Sequence, residues 1–164
     1  MTDLTKIFSN FVSQATLQNF NDEMIFFSKM SMIDWCGVAY AAKEEPVSKI
    51  VTKLIDEEQT KGLSRLISNG KEVSAKSAAF VNGTIGHALD YDDTHFLFTG
   101  HPTASAFPTA LALGEELGSS IDEIMLAYMC GVEISTRLGH ILGYSHYNKG
   151  CLLYTSPSPR DRLK

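Results

Sequence analysis

Apolar residues recur at steps of three and four along most of the chain and strand-like alternation is scarce, so the pattern predicts an all-α protein. Leu4, Ile7, Phe8, Phe11 and Val12 form a first amphipathic stripe that stops near residues 18–21. Asn21 is a good N-cap for the next helix, and Asp22 and Glu23 stand where carboxylates favour the positive helix end. That helix is the most apolar window, residues 24–42. It approaches the length of a membrane span but carries Lys29, Asp34, two serines and Gly37, and so reads as a buried core helix.

Glu45-Pro46 opens a third helix with Val47, Ile50, Val51, Leu54 and Ile55 on one face. Residues 63–67 suit a short strand or loop, ending in the turn signal Ser68-Asn69-Gly70. Ser74 caps a helix rich in small residues (Ala75, Ala78, Ala79, Gly83 and Gly86), which permits close packing. Pro102 starts another, which Gly118-Ser119-Ser120 breaks. Ser120-Ile121-Asp122-Glu123 has the form of a capping box for a last helix of about five turns. Residues 143–150 read as a loop holding Tyr144, His146 and Tyr147. No internal repeat is present.

Composition adds bounds to this picture. With 164 residues, 44% of them hydrophobic and 20% charged, the chain suits one globular domain. A net charge of −5 without a basic run argues against a nucleic-acid partner and for a small-molecule one. Cys36, Cys130 and Cys151 are odd in number and widely spaced, so neither a disulfide framework nor a thiolate zinc site is indicated. The start of the chain lacks a basic and then apolar leader, and together these features point to a reducing, cytoplasmic setting. From Cys151 the pattern changes: two close prolines, no helical period, and Arg160, Arg162 and Lys164 against Asp161. Residues 151–164 look like a translated sequencing-adapter end, a non-native tail on a body of residues 1–150.

The chemistry is concentrated in His87-Ala88-Leu89-Asp90-Tyr91-Asp92-Asp93-Thr94-His95 and the following Gly100-His101-Pro102-Thr103. If the helix from Ser74 runs on to Thr94, then His87, Asp90, Tyr91 and Thr94 share one face. Asp92 and Asp93 then turn away and read as solvated loop or capping residues. His101 falls at the N-cap of the Pro102 helix, whose free first-turn N–H groups can hold a carboxylate together with the Thr103 and Ser105 hydroxyls. Proton abstraction next to a carboxylate needs a base, an acid and donors for an enolate-like charge, and Asp90, His101 and Thr94 supply those types. The residues alone leave three readings open: acid–base catalysis, cation binding through His87, Asp90, Asp92, Asp93 and His95, or ordinary capping and surface charge. No His-Glu-x-x-His or comparable metal motif is matched. Dinucleotide, phosphate-loop and serine-hydrolase signatures are missing as well.

Several separated segments carry a family resemblance. They are Met32-Ile33-Asp34-Trp35-Cys36-Gly37-Val38-Ala39, Ser77-Ala78-Ala79-Phe80-Val81-Asn82-Gly83, the stretch from His87 through Thr94, His101-Pro102, and Ser145-His146-Tyr147-Asn148-Lys149-Gly150. In order and spacing they resemble the N-terminal part of the MmgE/PrpD family, which includes 2-methylcitrate dehydratase, cis-aconitate decarboxylase and iminodisuccinate epimerase. The resemblance implies a large all-helical domain followed by a smaller α+β domain, usually in a homodimer. It implies action on di- or tricarboxylic acids without a metal or organic cofactor. It also implies that Asp90 and His101 are catalytic and that Thr94 binds substrate, to which the first turn of the Pro102 helix adds Thr103 as a substrate-binding residue; His95 and the two further aspartates take lesser places. The family's continuation after Gly150, an aromatic residue followed by His, Pro and Thr, is replaced here by Cys151. The chain thus reads as an N-terminal fragment, inactive alone, of a lyase or isomerase, with dehydration ahead of decarboxylation and epimerisation. A helical cation-binding or sensing module is the alternative.

Overall fold

The computed structural model describes residues 3–97 and 99–148, the side chains of 145–148 excepted. Among them are six α-helices and one two-stranded hairpin: α1 (Leu4–Gln14), α2 (Asp22–Ala41), α3 (Pro46–Glu58), β1 (Ser64–Arg65), β2 (Glu72–Val73), α4 (Ala75–His87), α5 (Pro102–Leu117) and α6 (Ile121–Asn148). The architecture is all-α, as the apolar spacing predicts. The tail at 151–164 lies outside the described residues.

The helix starts are where the capping chemistry puts them. Asn21 accepts the Met24 N–H at 2.9 Å, Ser74 accepts that of Ser77 at 3.3 Å, and Pro46 and Pro102 stand in first turns. Ser120 and Glu123 form a reciprocal box, with the Ser120 N–H 2.7 Å from Glu123 Oε2 and the Glu123 N–H 3.3 Å from Ser120 Oγ. Gly118, at φ 67°, closes α5. Of the expected loop at 143–150, residues 144–148 are helical: α6 is broken at Gly143 (φ 56°, ψ −168°) and resumes to Asn148, and 149–150 lie outside the described residues.

α4 and α5 form the centre. They run antiparallel, since His87 meets His101 while Gly83 lies against Ala104 and Pro108. Pro108 has no N–H to give the Ala104 carbonyl, and a Cβ at Gly83 would come within 3.2 Å of that oxygen. Trp35 of α2 is fully buried and meets Phe107 edge-on at 5.2 Å; Phe107 meets Tyr128 of α6 at 5.6 Å. This aromatic line ties three helices together directly beneath the α4–α5 connection. Gly86 is the position where α4 passes the indole, and any side chain there would overlap Trp35.

The hairpin pairs Ser64 with Val73 and Arg65 with Glu72. Buried Asn82 clamps it to α4, accepting the Ile67 N–H at 2.9 Å and donating to the Arg65 carbonyl at 2.8 Å. Glu115 and Glu116 of α5 accept the Arg65 and Leu63 N–H groups. The Asn-Gly pair of the resemblance thus has a structural purpose: Asn82 anchors the hairpin and Gly83 admits α5.

The outer helices differ from expectation. α2 is not a buried core helix: Met32, Trp35 and Ala39 are inside, while Phe26, Phe27, Met30, Ile33 and Tyr40 are exposed. α1 buries no residue fully, and of the α3 stripe Val51 and Ile55 are buried while Ile50 and Leu54 are exposed. Apolar periodicity marks a face able to pack, and it does not say which part of that face the neighbouring elements reach. No helix among the described residues is long and apolar enough to cross a membrane.

Candidate active site

Two helix ends and the loop between them assemble the cluster. α4 stops at His87, Ala88 returns its N–H to the Ile85 carbonyl, and the chain turns through Asp90 in the left-handed region (φ 56°). Aspartate tolerates that region better than most residues, and such strained turns concentrate at functional sites. The helix therefore does not continue to Thr94, and the face expected to unite His87, Asp90, Tyr91 and Thr94 is not formed. Residues five apart in a helix are rotated by about 140° from one another, whereas the turn at Asp90 folds Asp92 back onto His87.

Asp92 is the buried centre of the cluster, which corrects its expected place as a solvated or capping residue. Its side chain is 1% exposed, and its Oδ1 and Oδ2 lie 2.9 and 3.1 Å from His87 Nδ1. A carboxylate removed from water requires such donors. His101, 12% exposed, places Nδ1 3.3 Å from Asp92 Oδ2 and 3.3 Å from the Asp92 carbonyl oxygen. Its other nitrogen, Nε2, is 3.5 Å from Oδ1 of Asp90, whose side chain is 76% exposed. The two imidazoles are 4.6 Å apart, tilted by 56°. Asp90 and His101 are thus brought together, with Asp90 on the solvent side.

Asp93 caps α5. Its Oδ1 accepts the Thr103 N–H at 3.2 Å and its Oδ2 the Thr103 hydroxyl at 2.6 Å, which puts a negative charge at the positive end of the helix. The Thr103 oxygen also lies 2.7 Å from the Tyr128 hydroxyl, so buried Thr103 is engaged on both sides. Burial pushes the Tyr128 phenol above its ordinary range; the bond to Thr103 opposes this, the Asp93 charge adds to it and a bond to Ser31 opposes it again. Thr94 is exposed on the loop. His95 donates its backbone N–H to the Gly100 carbonyl at 2.9 Å, closing a small turn, and its buried Nδ1 has no hydrogen-bond partner among the described residues.

Sequence reasoning missed Asp92 as a centre and Tyr128 as a neighbour. One signal was there: three aspartates in four positions are poor helix formers that favour turns, which argues for a stop near Asp90. Nothing in the sequence marked Tyr128, which reaches the loop only through the packing of α6 on α5.

One ligand atom from each of His87, Asp90, Asp92 and His101 falls within 4.8 Å of the others. A buried carboxylate behind an imidazole, with a second, solvent-facing carboxylate at the far ring nitrogen, is an arrangement suited to moving a proton at that outer edge. The fold and the site together define a helical domain with a cluster of two imidazoles and two carboxylates where α4 meets α5. The N-terminal domain of the MmgE/PrpD family matches residues 6–156, and the chain belongs to that family. The cis-aconitate decarboxylases of Homo sapiens and Mus musculus are 26% and 28% identical to it over 146 residues, 85% of this chain. The chain spans 30% of the length of these curated relatives.

Proposed function

We propose that the full-length protein carrying this segment is a lyase or isomerase that moves a proton on the carbon next to a carboxylate of a di- or tricarboxylic acid. The observation that carries the reading is the approach of His101 Nε2 to Asp90 Oδ1 at 3.5 Å, on the exposed side of a cluster whose centre, Asp92, is buried. One member of the pair takes the proton from carbon and the electron pair moves into the adjacent carboxylate as an enolate-like charge. In a dehydration the β-hydroxyl then leaves as water after receiving a proton. In an epimerisation the carbon is reprotonated on its other face. In a decarboxylation the pair comes from the broken carbon–carboxylate bond, carbon dioxide departs and the acid supplies the proton. Thr94, exposed on the same loop, would bind substrate; Thr103, expected from the sequence to do so, is buried with its hydroxyl held by Asp93 and Tyr128, and would serve the site only by holding that loop on α5.

Dehydration and decarboxylation are the leading reactions, the second supported by the names of the two relatives. The proposal extends to action in a homodimer, in the cytoplasm and without a cofactor, on the support of the family resemblance and the cysteine usage. The 30% coverage of the relatives supports the further proposal that these 164 residues lack part of the working site. The chain alone is expected to turn over neither 2-methylcitrate nor cis-aconitate, and robust turnover would refute that incompleteness. In the full-length protein, Asp90→Asn and His101→Ala should each lower kcat by about 10²- to 10⁴-fold, the range of general acid–base catalysis; unchanged turnover would sink the assignment.

A second reading has one observation in its favour, the four potential ligand atoms within 4.8 Å. A divalent-cation module would bind metal stoichiometrically and lose it on Asp92→Asn, which calorimetric titration with Zn²⁺ and Mn²⁺ would show.

A further inference from the structure

Behind the pair stands a carboxylate that the proposed reaction does not touch. Around His101 Nδ1 lie two oxygens of the same residue, Asp92 Oδ2 and the Asp92 carbonyl, each at 3.3 Å. Neither a carboxylate nor a carbonyl has a hydrogen to give, and the same holds for Asp90 at Nε2; Nδ1 is the favoured donor because it faces two oxygens, both nearer and one of them on a buried side chain that needs a donor, whereas Asp90 is exposed to water at 3.5 Å. In the neutral ring the proton then resides on Nδ1, and Nε2 is the unprotonated nitrogen, on the side where the Asp90 carboxylate is exposed to water. The same carboxylate accepts from His87 Nδ1 at 2.9 Å, and the His87 ring lies against that of His101.

We infer that Asp92 is a positioning residue that fixes His101 as its Nδ1–H tautomer and aims Nε2 at the reacting side. Two features single it out among the three aspartates. Asp90 is largely exposed and sits at the outer nitrogen, and Asp93 is committed to Thr103. Asp92 alone is both buried and shared by two imidazoles. An asparagine in its place can turn its NH₂ toward Nδ1, which would then have to accept, and the proton would move to Nε2, the nitrogen that must be bare to act as a base.

For its effect on rate, the inference rests on Asp90 and His101 being the proton-transfer pair; the tautomer does not depend on that reading. The test is ¹⁵N NMR of histidine-labelled full-length protein at about pH 9, where neutral imidazoles dominate, with the His101 signals assigned by their loss in His101→Gln. The expected result is a protonated Nδ1 and a bare Nε2 in the native protein, shifting toward a mixture of tautomers in Asp92→Asn. On a substrate that is turned over, Asp92→Asn should lower kcat by about 10²- to 10⁴-fold with KM changed only a few-fold. An Nε2–H tautomer in the native protein would overturn the inference, as would an unaltered tautomer and kcat in Asp92→Asn. Should Asp92→Asn not fold, the tautomer of the native protein decides alone. If Asp90→Asn keeps both the Nδ1–H tautomer and full turnover, the functional reading fails while the assignment of Asp92 stands.

Discussion

Asp93 does for α5 what His101, at the N-cap position, does not: its carboxylate takes the N–H and the hydroxyl of Thr103 together. Asp93→Ala should therefore destabilise the protein by about 1–2 kcal/mol, the cost of a lost cap and of a buried hydroxyl left with Tyr128 as its partner, with Asp93→Asn milder; denaturant unfolding measures both. Tyr128, on the other side of Thr103, gives a pH dependence of definite sign. Its folded-state proton is held more tightly than in the unfolded chain, where the phenol titrates at about 10. That contribution is complete below about pH 10 and is lost as the pH rises through the folded value. Burial also raises the thiols of Cys36 and Cys130, so their contributions fade in the same direction, from about pH 8.5 upward. Stability should thus decline on the alkaline side, and Tyr128→Phe should flatten the upper part of that decline in reductant-containing buffer. A steeper decline in Tyr128→Phe would contradict the buried phenol.

At the scale of elements, the site depends on how closely α4 can approach its neighbours. Gly86 precedes His87 and leaves no room beside Trp35, so Gly86→Ala must shift the indole or the helix. A loss of about 1–3 kcal/mol is expected, despite the better helix propensity of alanine. Where α4 rather than the indole gives way, the His87–Asp92 contact should be disturbed as well, because α4 carries His87. An unchanged Tm would show that α2 yields freely at this point. At α6 the prediction is local: Ser120→Ala removes one half of the capping box and should cost about 1 kcal/mol in thermal unfolding, without altering the site.

At the scale of the molecule, α2 exposes a ridge of Phe26, Met30, Ile33 and Tyr40, positions that fall on one side of a helix. Replacing Phe26 and Ile33 with lysine should lower binding of an apolar dye to the isolated chain and leave stability within about 0.5 kcal/mol per site. A large loss of Tm would mean that the ridge packs against something within the chain. The helices, their caps and the hairpin turn were legible in the sequence, because capping, proline and glycine chemistry and apolar spacing act over a few residues. The site was legible in part: Asp90 and His101 stood out by type and by family resemblance, and they do meet. The reversal that buries Asp92 was not legible, since it depends on where α4 ends, and α4 ends where Asp90 takes a left-handed turn that lets the loop reach α5. Nor was the engagement of Thr103, because Asp93 and Tyr128 arrive from a loop and from a helix distant in sequence. What the sequence by itself determined about this protein is its all-α class, its element starts and the chemical types at the site. Only the tertiary structure decided which carboxylate is buried, which faces solvent and which nitrogen of His101 is turned outward, because burial and hydrogen-bond partnership come from elements far apart along the chain.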